Sequence, residues 1–194
     1  MRLLAACLLL IIAAAFPALA EGPAAELTQF QLERNEEGLL LSAAVRFDLP
    51  QVIEDALQKG IPMYFVAEAV LFRDRWYWYD RAISQVRRHM RLSYQPLTRR
   101  WRLTISPTVI GNSAVALGQS FDTQEEALAA VQRVSRWKIA EAADLQPDER
   151  YNVDYRFRLD VSQLPRPFQI GAVGQADWNI SVIRNQRLTL DALR

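Results

Sequence analysis

The chain has 194 residues, of which 51% are hydrophobic and 23% charged, with 23 Lys+Arg against 22 Asp+Glu. That length suits one domain with a short targeting segment, and the apolar share excludes an intrinsically disordered chain. A formal net charge of +1 gives no global attraction to nucleic acid or to anionic lipid.

The chain opens with Arg2, then an apolar run from Leu3 to Ala15, then Phe16-Pro17 and the small-residue box Ala18-Leu19-Ala20. This is the three-part plan of a secretory signal peptide cleaved after Ala20. The run is short of the roughly 20 apolar residues that a membrane span needs. An uncleaved inner-membrane anchor is the alternative. Cys7 sits ahead of most of the apolar run, so it does not read as a lipoprotein cleavage site. A chain beginning at Glu21 has no cysteine, and so neither a disulfide nor a thiolate metal site. The expected organisation is residues 1–20 as signal peptide and 21–194 as a single mainly β domain, placed in the periplasm or secreted.

Two alternating runs follow, Thr28 to Leu32 and Leu39 to Phe47, around Asn35-Glu36-Glu37-Gly38. They predict a β-hairpin. Pro50 to Lys59 predicts a short amphipathic helix, with Val52, Ile53, Ala56 and Leu57 on one face and Gly60 and Pro62 as the stop. Met63 to Phe72 is β-prone. Val86 to Tyr94 and Trp101 to Ser106 alternate with period two and predict an antiparallel pair. Gly111 to Phe121 is a weaker strand. Thr123-Gln124-Glu125-Glu126 is a capping box, with a helix expected to about Trp137. Ala140 to Arg150 reads as a polar connection and Tyr151 to Val161 as the most regular strand, broken by Pro165 and Pro167. Gln175 to Ile183 is the last strand expected. Alternation of this kind favours antiparallel pairing, since a doubly wound parallel fold needs a helix between its strands. The expected fold is α+β, mainly β: antiparallel sheets or a sandwich with two amphipathic helices packed on them.

Few residues suggest chemistry. His89 is the single histidine and falls between Arg87 and Arg91 on the polar face of its strand, where a solvated side chain is expected. Glu68 shares a face with Val66, Val70 and Phe72; a general acid there would need a raised pKa, and an ion pair with an Arg is the plainer reading. Asp74 and Asp80 flank the aromatic run, with nothing to fix their separation. There is no glycine-rich phosphate loop. No catalytic residue, cofactor or metal is expected, and the chain reads as non-enzymatic.

Two features point to binding instead. The run Trp76-Tyr77-Trp78-Tyr79, read as a strand, would show two aromatics on each face, suited to a sugar ring or a protein partner. Arg87, Arg91, Arg99, Arg100 and Arg102 lie on or near the polar face of one hairpin, a local cationic strip in a near-neutral chain. The expected contact surface is therefore Trp76, Tyr77, Trp78, Tyr79, Arg87, Arg91, Arg99 and Arg102.

Several ordered stretches carry a resemblance. They are Arg75-Trp76-Tyr77-Trp78, Leu92-Ser93-Tyr94 with Leu97-Thr98-Arg99, Gln119-Ser120-Phe121, Val161-Ser162-Gln163-Leu164-Pro165 with Pro167-Phe168-Gln169, and Asp177-Trp178. Over nearly all of the mature chain these resemble the proteobacterial exported proteins grouped as domain of unknown function 4390, although Arg166 stands where that pattern has Lys. The resemblance implies no catalytic residues. By genomic neighbourhood it implies an envelope accessory to signalling, with a two-component sensor kinase as a partner by analogy. The resulting expectation is an interaction protein of the cell envelope. The alternative is a binding module for cell-wall glycan or anionic lipid. Nucleic acid is not expected as a partner, and membrane contact is peripheral at most unless the signal segment is retained.

Overall fold

The computed structural model describes residues 25–74, 81–110, 116–172 and 174–190. The signal segment, with Ala18 and Ala20, and the aromatic run with Asp80 lie outside these residues.

The domain opens with the expected hairpin, β1 (Glu26–Asn35) against β2 (Gly38–Arg46). Its turn is made by the Asn35 side chain, whose Oδ1 accepts from the main-chain N–H of Glu37 at 3.0 Å and of Gly38 at 3.1 Å. Asparagine holds such turns because its short amide reaches its own backbone. Gly38 has φ +142, and a Cβ there would lie 2.0 Å from the carbonyl oxygen of Ala140, so only glycine admits the neighbouring strand. Helix α1 (Gln51–Gln58) follows, the Pro50 carbonyl accepting from the N–H of Ile53 and Glu54. It buries Ile53, Ala56 and Leu57, three of the four residues of its expected apolar face.

Strands β3 (Met63–Arg73), β4 (Arg81–Gln95), β5 (Arg100–Ser106) and β6 (Leu117–Phe121) come next. Helix α2 (Gln124–Gln132) begins at Thr123, whose side chain accepts from the Glu126 N–H. Strands β7 (Arg133–Glu141) and β8 (Arg150–Leu159), helix α3 (Arg166–Ala172) and strand β9 (Ser181–Thr189) complete the described chain. The strands form a three-stranded sheet, β1-β2-β7, and a six-stranded sheet, β6-β5-β4-β3-β8-β9. Every described pairing is antiparallel.

The two sheets face each other across one contiguous core. Phe47, after β2, meets Phe65 of β3 and Phe157 of β8 at centroid distances of 5.6 Å each, and Phe65 meets Phe157 at 5.9 Å. Phe30 of β1 reaches Tyr155 of β8 at 5.7 Å. The fold is thus α+β, mainly β, with the helices lending buried side chains to the same core.

Three local expectations are corrected. The helix expected to reach Trp137 stops at Gln132, and Arg133–Glu141 is a strand. Pairing with β2 turns this segment extended, and Val134, Ile139 and Ala140 are buried there. Pro165 and Pro167 do not merely break a strand. They open α3, a third helix, where the Pro165 carbonyl accepts from Phe168 and Gln169 and a missing proline N–H costs nothing. The last strand is displaced to Ser181–Thr189, because Ala176–Trp178 forms a 3-10 turn that buries Trp178.

The aromatic contact joining the sheets predicts the most damaging core substitution. Phe157→Ala should lower stability by about 3–5 kcal/mol, read as a fall in the urea midpoint at unchanged m-value.

Candidate functional site

Alternation along β3 sends Met63, Phe65, Ala67, Ala69 and Leu71 into the core and Tyr64, Val66, Glu68 and Val70 to the outer face. Antiparallel register then fixes what stands beside them. Glu68 lies between Arg87 of β4 and Arg156 of β8. Val66 lies between His89 and Arg158, and Val70 between Gln85 and Asp154. On β4, Arg91 faces Thr104 and Ser93 faces Arg102 of β5. One sheet face therefore gathers Arg87, Arg91, Arg102, Arg156 and Arg158, all exposed.

The face is not uniformly cationic. Glu68 accepts from Arg87 Nε at 2.9 Å and from Gln85 at 2.6 Å. Partial burial works against its carboxylate, but those hydrogen bonds and the charges of Arg87 and Arg156 outweigh it and hold the pKa below the ordinary glutamate value. A general acid would need the opposite shift. Asp160 pairs with Arg158 at 3.2 Å and accepts from Ser162 Oγ at 2.7 Å and Gln163 at 2.9 Å. Burial opposes this carboxylate too, and its partners still draw the pKa below the usual aspartate range. By contrast, Arg91, Arg102 and Arg156 make no ion pair among the described residues.

His89 departs from expectation. It is only 8% exposed, and its Nδ1 is buried without a hydrogen-bond partner among the described residues. Desolvation is the main cause of its lowered pKa, with Arg87 and Arg158 adding to it and Asp160 and Glu68 opposing. The imidazole is a neutral wedge in a ring of four charges. Val66 beside it is buried as well, at 3% exposure, although it points away from the core cluster. Long arginine side chains cover apolar surface with their stems while their heads stay wet.

Of the expected contact residues, the structure brings Arg87, Arg91 and Arg102 together on this face. Arg99 lies instead in the turn after β4, with φ 53, and Arg100 is neutralised by Asp122. Trp76, Tyr77, Trp78 and Tyr79 fall between β3 and β4, outside the described residues. The expected surface lacked Arg156 and Arg158. Their alternation with Phe157 and Leu159 was visible, but nothing local says that β8 lies next to β3. Among the described residues no cluster of three acidic, His or Cys side chains is arranged for a metal. No described helix is long and apolar enough to cross a membrane.

A family model described as "Domain of unknown function (DUF4390)" matches residues 22–188. No curated protein and no solved structure matches the chain.

The buried imidazole gives stability a distinct pH profile. Its folded pKa is below the ordinary 6.5, so the unfolded chain takes up the proton first, and stability present above that pH is lost as pH falls through it. The depressed Glu68 and Asp160 act lower, losing their contribution only below about their ordinary values of 4.5 and 3.8. Urea midpoints between pH 7 and 5 should fall for the natural chain and stay flatter for His89→Gln, while both drop below pH 4.

Proposed function

Since the chain belongs to the DUF4390 family, which assigns no chemistry of its own, we propose from the residues that it is a non-enzymatic interaction protein of the cell envelope. The supporting observation is the outer face of the six-stranded sheet. Five arginines from β4, β5 and β8 stand exposed there in cross-strand register, and Arg91, Arg102 and Arg156 lack a carboxylate among the described residues. Unpaired guanidinium groups on a rigid sheet favour an acidic surface with planar carboxylates, which arginine engages through two parallel hydrogen bonds. A sheet face needs no groove to do this, because the strands themselves set the spacing of the cations.

Export is part of the same reading. The Leu3–Ala15 apolar run and the Ala18-Leu19-Ala20 box support delivery through a cleaved signal peptide. The partner is then an envelope protein, and a sensor kinase with an acidic extracytoplasmic surface is the first to test. Protein isolated from the envelope fraction should have the intact mass of a chain beginning at Glu21, whereas a mass retaining residues 1–20 would indicate an uncleaved anchor.

In-cell crosslinking of the tagged protein should recover a reproducible envelope protein, and Arg91→Glu with Arg102→Glu, neither of which faces Glu68, should reduce that recovery at least tenfold at unchanged Tm. Capture should weaken with added salt, since exposed charges are screened beyond about 8 Å at physiological ionic strength. Undiminished capture by the double variant removes the face from the interface. Co-sedimentation with peptidoglycan or anionic vesicles, with no protein recovered, would favour a glycan- or lipid-binding module.

A further inference from the structure

The opposite side of β4 carries a second site, which does not depend on the partner-binding reading. Strand β4 runs from Arg81 to Gln95, but β5 pairs only with its second half, the last pair being His89 with Ser106. Pro107 follows and has no N–H with which to extend the ladder. The bare half of β4 is approached instead by β7 of the other sheet, whose Ile139 carbonyl accepts from the Ser84 hydroxyl. Between that tether and the end of β5 the sandwich is open at its side. The opening is a notch of two lobes, about 540 and 420 Å³, which share Arg88, Ile105 and Ser135. The larger volume lies within the roughly 300–1,000 Å³ of small-ligand sites.

The larger lobe is mainly apolar and the smaller one mainly polar, and among the described residues cations but no acidic side chain line them. Ile105, Leu117 and Trp137 supply the apolar surface, and Leu117 is 74% exposed although it belongs to a strand. Arg87, Arg136 and Lys138 also line the notch but are engaged by Glu68, Glu33 and Glu141. Arg88 and Arg133 have no carboxylate partner among the described residues.

Arg88 points to the inner side of the sheet, where a desolvated guanidinium is costly unless an anion answers it. Its burial lowers its pKa, and the charge nevertheless remains because arginine does not deprotonate in proteins. Arg88 and Arg133 line the smaller lobe together, and two guanidinium groups without a carboxylate can both donate to one bound carboxylate.

The chain attached to that carboxylate is indicated by β7. Two register shifts interrupt its pairing with β2, and Arg136 has φ 45. A kinked and bulged edge is a poor template for an added peptide strand. A ligand that needs no main-chain pairing suits the notch better.

We propose that this notch binds a single-chain fatty carboxylate, its head on the Arg88 and Arg133 guanidinium groups and its alkyl chain along Ile105, Leu117 and Trp137. The probe is dodecanoate below its micelle concentration, titrated into the purified protein by calorimetry and by Trp fluorescence. Saturable binding is expected, at least tenfold weaker in Arg88→Gln, and unchanged in Arg91→Glu with Arg102→Glu. Arg133→Gln, at an exposed position, gives a reading should Arg88→Gln fail to fold, and it too should weaken binding. Acetate should not compete at equal concentration, and dodecanol should bind far more weakly. Absence of saturable binding, equal binding by dodecanol, or affinity indifferent to Arg88 and Arg133 would each overturn the assignment. An acidic peptide that binds in place of dodecanoate would do the same.

Discussion

Strand β3 sets the terms for the rest of the domain, because it pairs on both edges and its two faces meet opposite environments. Its inward set, Met63 to Leu71 in steps of two, is almost wholly excluded from water. Its outward set puts Glu68 under the arginines of β4 and β8. With a side-chain period of two, a slip of one residue would turn Phe65 outward and Glu68 into the aromatic cluster. Losing a buried aromatic and burying an acid would each be severe, so the register of the central three strands is strongly specified. The charged face then follows from the core, since residues between inward-facing aromatics must point to the other side.

That outer face also shows how a near-neutral chain carries local charge. A formal net charge of +1 conceals arginines on neighbouring strands, because their counter-charges are unevenly shared. Glu68 and Asp160 are each held by arginine and by neutral donors, while Arg91, Arg102 and Arg156 are left facing water. His89 remains neutral in the middle because desolvation and two guanidinium groups outweigh two carboxylates. The neutral ring lets arginines crowd around it without a further positive charge in the row.

The fold class, the first hairpin, α1, the Thr123 cap and β3 to β5 were legible because each is set by local chemistry: period-two alternation, an Asx turn, a proline start or a side-chain cap. What was not legible depends on partners distant in sequence. No glycine or proline separates α2 from β7, and only the edge of β2 makes Arg133–Glu141 extended. The prolines near residue 165 were read as breakers when their position before Phe168 makes them helix starters. The cationic face was half legible. Arg87, Arg91 and Arg102 belong to one recognisable hairpin, whereas Arg156 and Arg158 join them through β8, whose place beside β3 has no local mark. His89 was misjudged for the same reason, since burial on a polar face needs neighbours that only strand order supplies.

Strand β4 shows most plainly how the two faces diverge. Successive residues Arg87 and Arg88 carry the same guanidinium and answer to different physics. Arg87 has Glu68 across the ladder and water beyond it, so its charge is compensated and cheap. Arg88 is turned inward beside Ala67, with no carboxylate partner among the described residues. A methionine at that position would suit a purely structural side chain, as it does two residues on at Met90. A half-buried charge without a counter-ion costs stability, and the open notch that it lines is where a compensating anion can reach it. The same alternation that builds the core thus separates one arginine suited to a surface partner from another suited to a small ligand.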